Sequence, residues 1–99
     1  MGQPRKAADR ADEALEMLGP EPRPATAGAL IVLGEARIRL GREDDAVEVL
    51  GRAMTCLHQM EPSREVAEGW FNLAELLSQT GDDQHRAEAY RHALSCAGL

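Results

Sequence analysis

The sequence predicts an all-α fold, an α-solenoid of antiparallel helical hairpins laid side by side. Three observations carry this expectation. Gly41 and Gly81 lie 40 residues apart, and Leu33 with Leu73, Ala53 with Ala93 and Cys56 with Cys96 recur in the same step; a fixed period of about 20–50 residues marks a chain of stacked units. Alanine, leucine, glutamate and arginine dominate the 99 residues, against one Trp, one Tyr and one Phe, a composition that favours helix over sheet. Breakers at Gly19-Pro20, Gly41, Pro62 and Gly81 leave only short joints between apolar-periodic segments, and short joints make neighbouring helices antiparallel.

Five helices follow from apolar spacing and breakers. The first is expected from about Arg5 to Leu18, with Ala7, Ala11, Ala14, Leu15 and Leu18 on one stripe. Pro20, Pro22 and Pro24 then form a stiff, extended connection, read as a turn between repeats in preference to a proline ligand for a partner. Thr26 is the expected cap of the second helix, which continues to Leu40 and ends at Gly41. Glu43, Asp44 and Asp45 open the third helix, where carboxylates favour the positive end of the helix dipole; this explains the acidic trio better than a metal cluster does. That helix, to about Met60, carries Ala46, Val47, Val49, Leu50, Ala53, Met54, Cys56 and Leu57, too many apolar positions for one narrow stripe, so it should be covered from two sides. Pro62-Ser63 restarts the chain as the fourth helix, with a face of Val66, Trp70, Leu73, Leu76 and Leu77 before Gly81. The fifth, from about Asp83 to Ala97, shows one stripe of Ala87, Tyr90, Ala93, Leu94 and Ala97, with Glu88, Arg91, His92 and Ser95 opposite. It reads as the exposed end of a stack.

Length and charge bound the function. Ninety-nine residues hold a single domain with a modest core. The net charge of −6 is shared by all parts of the chain, so no electropositive footprint exists for nucleic acid or for acidic membranes. No apolar run approaches the roughly 20 residues that span a bilayer, and the start of the chain lacks the apolar stretch of a secretory signal; the expectation is a cytoplasmic protein. Equivalent helices in a stack lie about 8–10 Å apart, farther than the about 7 Å a disulfide allows. Cys56 and Cys96 are therefore expected as free, core-facing thiols, as a reducing compartment requires.

The repeat resembles a tetratricopeptide repeat, whose pattern is a Trp, a Leu-Gly pair and a Tyr on one helix, then an Ala, an aromatic and a Pro on and beyond the next. Trp70, Leu73-Ala74, Leu77, Gly81, Tyr90 and Ala93 match it once, and Leu30, Leu33-Gly34, Gly41, Ala46, Leu50, Ala53 and Pro62 match it again. Ala7, Ala11 and Ala14 repeat the spacing of Ala46, Leu50 and Ala53, so the first helix resembles the second half of a preceding unit. This divides the chain into a half repeat over 1–22 and repeats over 23–62 and 63–99, two and a half in all, and suggests a piece of a longer array. Arg37 stands where the family favours an aromatic, Arg86 where it favours a small residue, and the period exceeds the family's usual ~34. That longer period is similar to the helical repeats of bacterial transcriptional regulators and signalling proteins.

No constellation for catalysis is legible: there is no phosphate-cradling glycine loop, nucleophile elbow or cysteine pair of zinc spacing. The chain is expected not to be an enzyme and to need no cofactor. His92 and Cys96 lie four apart, a spacing that places two metal ligands on one helix face, but without a third or fourth they read as a surface histidine beside a partly buried thiol. What the resemblance implies instead is a protein-interaction module. The first helix of each hairpin would line a concave groove for a peptide or partner helix, through Ile31, Val32, Glu35, Ile38 and Arg39 in one repeat and Phe71, Asn72, Glu75 and Gln79 in the next. Asn72 would both donate to and accept from a ligand backbone, and Glu35 and Glu75 would give the groove an acidic rim. Alternatively these are solvated charges, with Glu35 and Arg39 an i,i+4 pair worth only tenths of a kcal/mol. The runner-up function is self-association within a bacterial transcriptional regulator, through the exposed ends of a stack too short to close itself.

Overall fold

The computed structural model describes residues 3–98, over which five helices follow one another: α1 (Pro4–Leu18), α2 (Pro24–Arg39), α3 (Glu43–His58), α4 (Arg64–Thr80) and α5 (Asp83–Cys96). No strand occurs among the described residues. The fold is the all-α, repeat-like architecture that the 40-residue period predicts.

Each boundary has a local cause. Pro4 and Pro24 open α1 and α2, where the missing N–H removes a donor that would have no partner in any case. The α2 start therefore precedes the expected cap. Thr26 lies inside the first turn, buried, and its Oγ1 donates to the Glu21 carbonyl at 3.1 Å, which ties the proline segment back onto the helix. Ser63 and Asp82 cap α4 and α5: Ser63 Oγ accepts from the Val66 N–H and Asp82 Oδ1 from the His85 N–H, both at 3.1 Å. The hydrogen bond between the His85 ring and Asp82 Oδ2, together with that backbone N–H, holds the Asp82 carboxyl below the usual carboxylate range.

Gly41 and Gly81 have φ of 77° and 78°. At each, the next residue reaches back to a carbonyl five earlier: Arg42 N–H to Arg37 at 2.8 Å and Asp82 N–H to Leu77 at 3.2 Å. This is the Schellman helix end, whose left-handed residue only glycine adopts without strain. α3 and α5 stop at His58 and Cys96, one or two residues short of the ends expected from sequence, the usual uncertainty where a last turn frays.

α2 packs on α1 and on α3, and α4 packs on α2, α3 and α5. Two hairpins, α2–α3 and α4–α5, thus stand side by side with α1 against the far side of α2. Burial recurs in the same step as the sequence: Ala27 and Ala67, Leu30 and Trp70, Leu33 and Leu73, Val49 and Ala89, and Ala53 and Ala93 are all buried. α3 sends Val49, Leu50, Ala53 and Leu57 into one cluster with Trp70, Leu73 and Leu77, and it is covered from both sides, by α2 and by α4. Close approach depends on missing side chains. A Cβ on Gly34 would stand 2.5 Å from Leu50 Cδ2, and one on Gly69 2.9 Å from Leu57 Cδ2.

α5 corrects the sequence expectation. Its buried residues are Ala89 and Ala93, whereas Ala87 and Ala97 are exposed and Leu94 is 55% exposed. The helix is rotated so that its smallest row faces α4, because only alanines let two backbones approach at that point. Glu88 and His92, expected to face solvent, are partly buried as a result.

Both cysteines are free thiols. Burial pushes the Cys56 thiol up, outweighing its contact with the Arg23 carbonyl, so this is an unreactive core group. Cys96 is partly buried against the core. Among the described residues, no helix is long and apolar enough to cross a membrane.

Candidate partner-binding furrow

Because α2 and α4 are the first helices of adjacent hairpins, their outer faces lie side by side and leave a furrow between them. One stretch, of about 520 Å³, is lined by Pro24, Ala27, Ile31, Val32 and Leu57, with Glu65, Glu68 and Asn72 opposite. The next, of about 310 Å³, is lined by Ile31, Val32, Glu35, Asn72, Glu75 and Gln79, with Leu76. The two share Ile31, Val32 and Asn72 and so run into one another.

The furrow has an apolar floor and an acidic rim. Ile31 packs partly against the core and Val32 is 48% exposed, so the wall offers apolar surface to an incoming group. Four carboxylates, on Glu35, Glu65, Glu68 and Glu75, line its length, and no lysine or arginine is among the described residues that line it. Asn72 borders both stretches and also a third hollow of about 370 Å³ between α4 and α5, lined by Arg64, Ala67, Phe71, Ala93, Leu94 and Ala97. Among the described residues its amide makes no hydrogen bond within the chain, which leaves two donors and an acceptor for a ligand.

Six of the residues chosen from sequence, Ile31, Val32, Glu35, Asn72, Glu75 and Gln79, meet in this furrow. The others lie elsewhere. Arg39 is absent from the lining and sits 3.7 Å from Glu35 as the expected i,i+4 pair, both side chains about half exposed. Phe71 borders the α4–α5 hollow, edge-on to Tyr90 at 5.7 Å. Ile38 packs against the core. Glu65 and Glu68 were not singled out from sequence, although they stand seven and four residues before Asn72. Their stripe along α4 was therefore legible by extending the helical spacing one and two turns toward Arg64.

The family model for the tetratricopeptide repeat matches residues 67–97, which contain most of α4 and all of α5. No curated protein and no solved structure matches the chain. Tetratricopeptide repeats are a non-enzymatic fold that generally mediates interactions between proteins. The α4–α5 hairpin thus matches a tetratricopeptide repeat, and the same burial pattern recurs 40 residues earlier over α2–α3.

Proposed function

We propose that the chain binds a basic segment of a partner protein with apolar side chains, held as an extended peptide or a helix in the furrow between α2 and α4. Residues 23–62 and 63–99 act as two repeats and 1–22 as the second half of another, so that both groove-lining helices come from complete units. The observation that carries the reading is the convergence at Asn72: an unpaired amide between an apolar floor and four carboxylates. The amide holds a ligand backbone without regard to its sequence, and the carboxylates select positive side chains and speed their approach. The chain performs no chemistry of its own.

A panel of fluorescent peptides that alternate Lys or Arg with Leu, set against charge-reversed copies, tests this by anisotropy. Basic members should bind and acidic ones should not, with affinity falling as salt rises. Glu75→Arg and Asn72→Ala should each weaken the best peptide by about tenfold, equivalent to ~1.4 kcal/mol. Unchanged affinity in both variants, with the helical spectrum intact, rules the furrow out.

A second reading, self-association of the kind a bacterial transcriptional regulator uses, is favoured by the hollow between α4 and α5. Phe71 and Leu94 are 48% and 55% exposed there, on the surface equivalent to the one that α4 covers on the preceding hairpin. Light scattering across a concentration series separates the two readings. A mass that rises with concentration, and that stays monomeric in Leu94→Glu, supports self-association; a constant monomer mass in the parent chain removes it.

A further inference from the structure

The rotation of α5 brings together a cluster that no single helix contains. His92 and Glu88 stand four apart on α5, with His92 Nε2 3.8 Å from Glu88 Oε1. His58, the last residue of α3, reaches the same place, so that one ring nitrogen of each histidine and a carboxylate oxygen of Glu88 lie within 4.8 Å of one another. Trp70 of α4 forms the wall. The His92 ring stacks on the indole at 4.5 Å and 23°, and the His58 ring stands edge-on to both, 4.7 Å from each.

The geometry points to a binding site for a divalent transition-metal ion, of the zinc or nickel class, held by His58, Glu88 and His92. Two imidazoles with one carboxylate suit these borderline ions, whereas magnesium and calcium take sets of oxygen ligands. Stacking occupies the faces of the rings and leaves the in-plane nitrogen lone pairs available. The His92 ring is fixed against Trp70, which is 1% exposed, so one ligand is positioned before any ion arrives. Ligands about 2.0 Å from a tetrahedral ion stand roughly 3.3 Å apart. Exposed His58 closes the remaining distance by turning about its side-chain bonds. Three ligands leave a fourth position for water, on the solvent side. The ion would bridge α3 to α5 over the top of α4, so its consequence is mechanical: it pins the second helix of one hairpin to the second helix of the next and fixes the angle between them.

The full chain is titrated with zinc chloride by calorimetry, and with nickel chloride while the fluorescence of Trp70, the single tryptophan, is followed. One equivalent of zinc should bind, nickel should quench the indole beside it, and the thermal midpoint should rise with zinc, because only the folded chain presents the site. Loss of an outer-shell partner alone weakens metal sites by about 10–100-fold. His58→Gln and His92→Gln should therefore each weaken zinc by at least about tenfold, while His85→Gln and Cys96→Ser leave it unchanged. Far-UV circular dichroism checks that each variant is folded, and His58→Gln, at an exposed position, decides alone if His92→Gln is not. Zinc binding that survives His58→Gln, or that disappears with His85→Gln or Cys96→Ser, overturns the site, as does the absence of heat and quenching at millimolar metal.

Discussion

Trp70→Ala is expected to lower the unfolding free energy by about 3–5 kcal/mol, the usual range for truncating a large buried aromatic. Trp70 heads the fully buried side chains by volume. It stands where three helices meet: α4 carries it, His58 of α3 lies edge-on to it, and His92 of α5 stacks on it. The surrounding residues close only partly on the space left behind, because Leu73 and Leu77, one and two turns along α4, are held in the same core cluster. A domain of this size is stable by roughly 5–15 kcal/mol, so the variant should be marginal. The loss is read from urea unfolding followed by far-UV circular dichroism, since the variant has no tryptophan to report by fluorescence. The midpoint should fall with an unchanged slope. A loss below about 1 kcal/mol would mean that the indole is not enclosed between the hairpins. Trp70→Phe, which keeps most of the ring volume, should lose distinctly less.

The residues most legible in the sequence are those whose environment is local or repeated. Gly41 and Gly81 mark helix ends because a left-handed backbone excludes nearly every other residue, and that constraint is visible without knowing what the helix touches. Leu33 with Leu73 and Ala53 with Ala93 were legible for a second reason: equivalent positions of a stack see equivalent neighbours. Where the expectation failed, the cause was non-local. The facing of α5 was read from apolar residues, which gave weight to Leu94, yet the helix sits on Ala89 and Ala93 because α4 approaches closely there. The same rotation placed His92 beside Trp70 and His58, residues 22 and 34 positions away in the chain, which no spacing rule on one helix reveals. In the furrow, Asn72 and Glu75 could be placed from the repeat alone, but Phe71, their neighbour in sequence, turns to the other side of α4.

Gly34→Val is expected to destabilise the chain by about 3 kcal/mol, near the upper end of the range for overpacking a close-packed interior. Even the first added carbon would stand 2.5 Å from Leu50 Cδ2 and 3.0 Å from Leu50 Cγ. Leu50 has no exposed surface, so it has nowhere to move without displacing α3. Two opposing terms make the smaller substitution informative. Gly34→Ala gains about 1 kcal/mol of helix propensity and meets the same obstruction, so its net effect should be a loss smaller than that of valine. Gly28 lies on the same helix, and a Cβ added there would meet nothing within 4 Å, so Gly28→Ala should instead stabilise by up to about 1 kcal/mol. The cause is isolated by a double-mutant cycle with Leu50→Ala. That change alone leaves a cavity and costs about 2–5 kcal/mol, but beside Gly34→Val the new side chain fills the space. The double variant should then be more stable than the sum of the single losses predicts, by about 1–3 kcal/mol. Strict additivity would show that valine acts on the α2 backbone and not through Leu50, and the close approach of α2 and α3 would lose its role as the constraint that keeps position 34 a glycine.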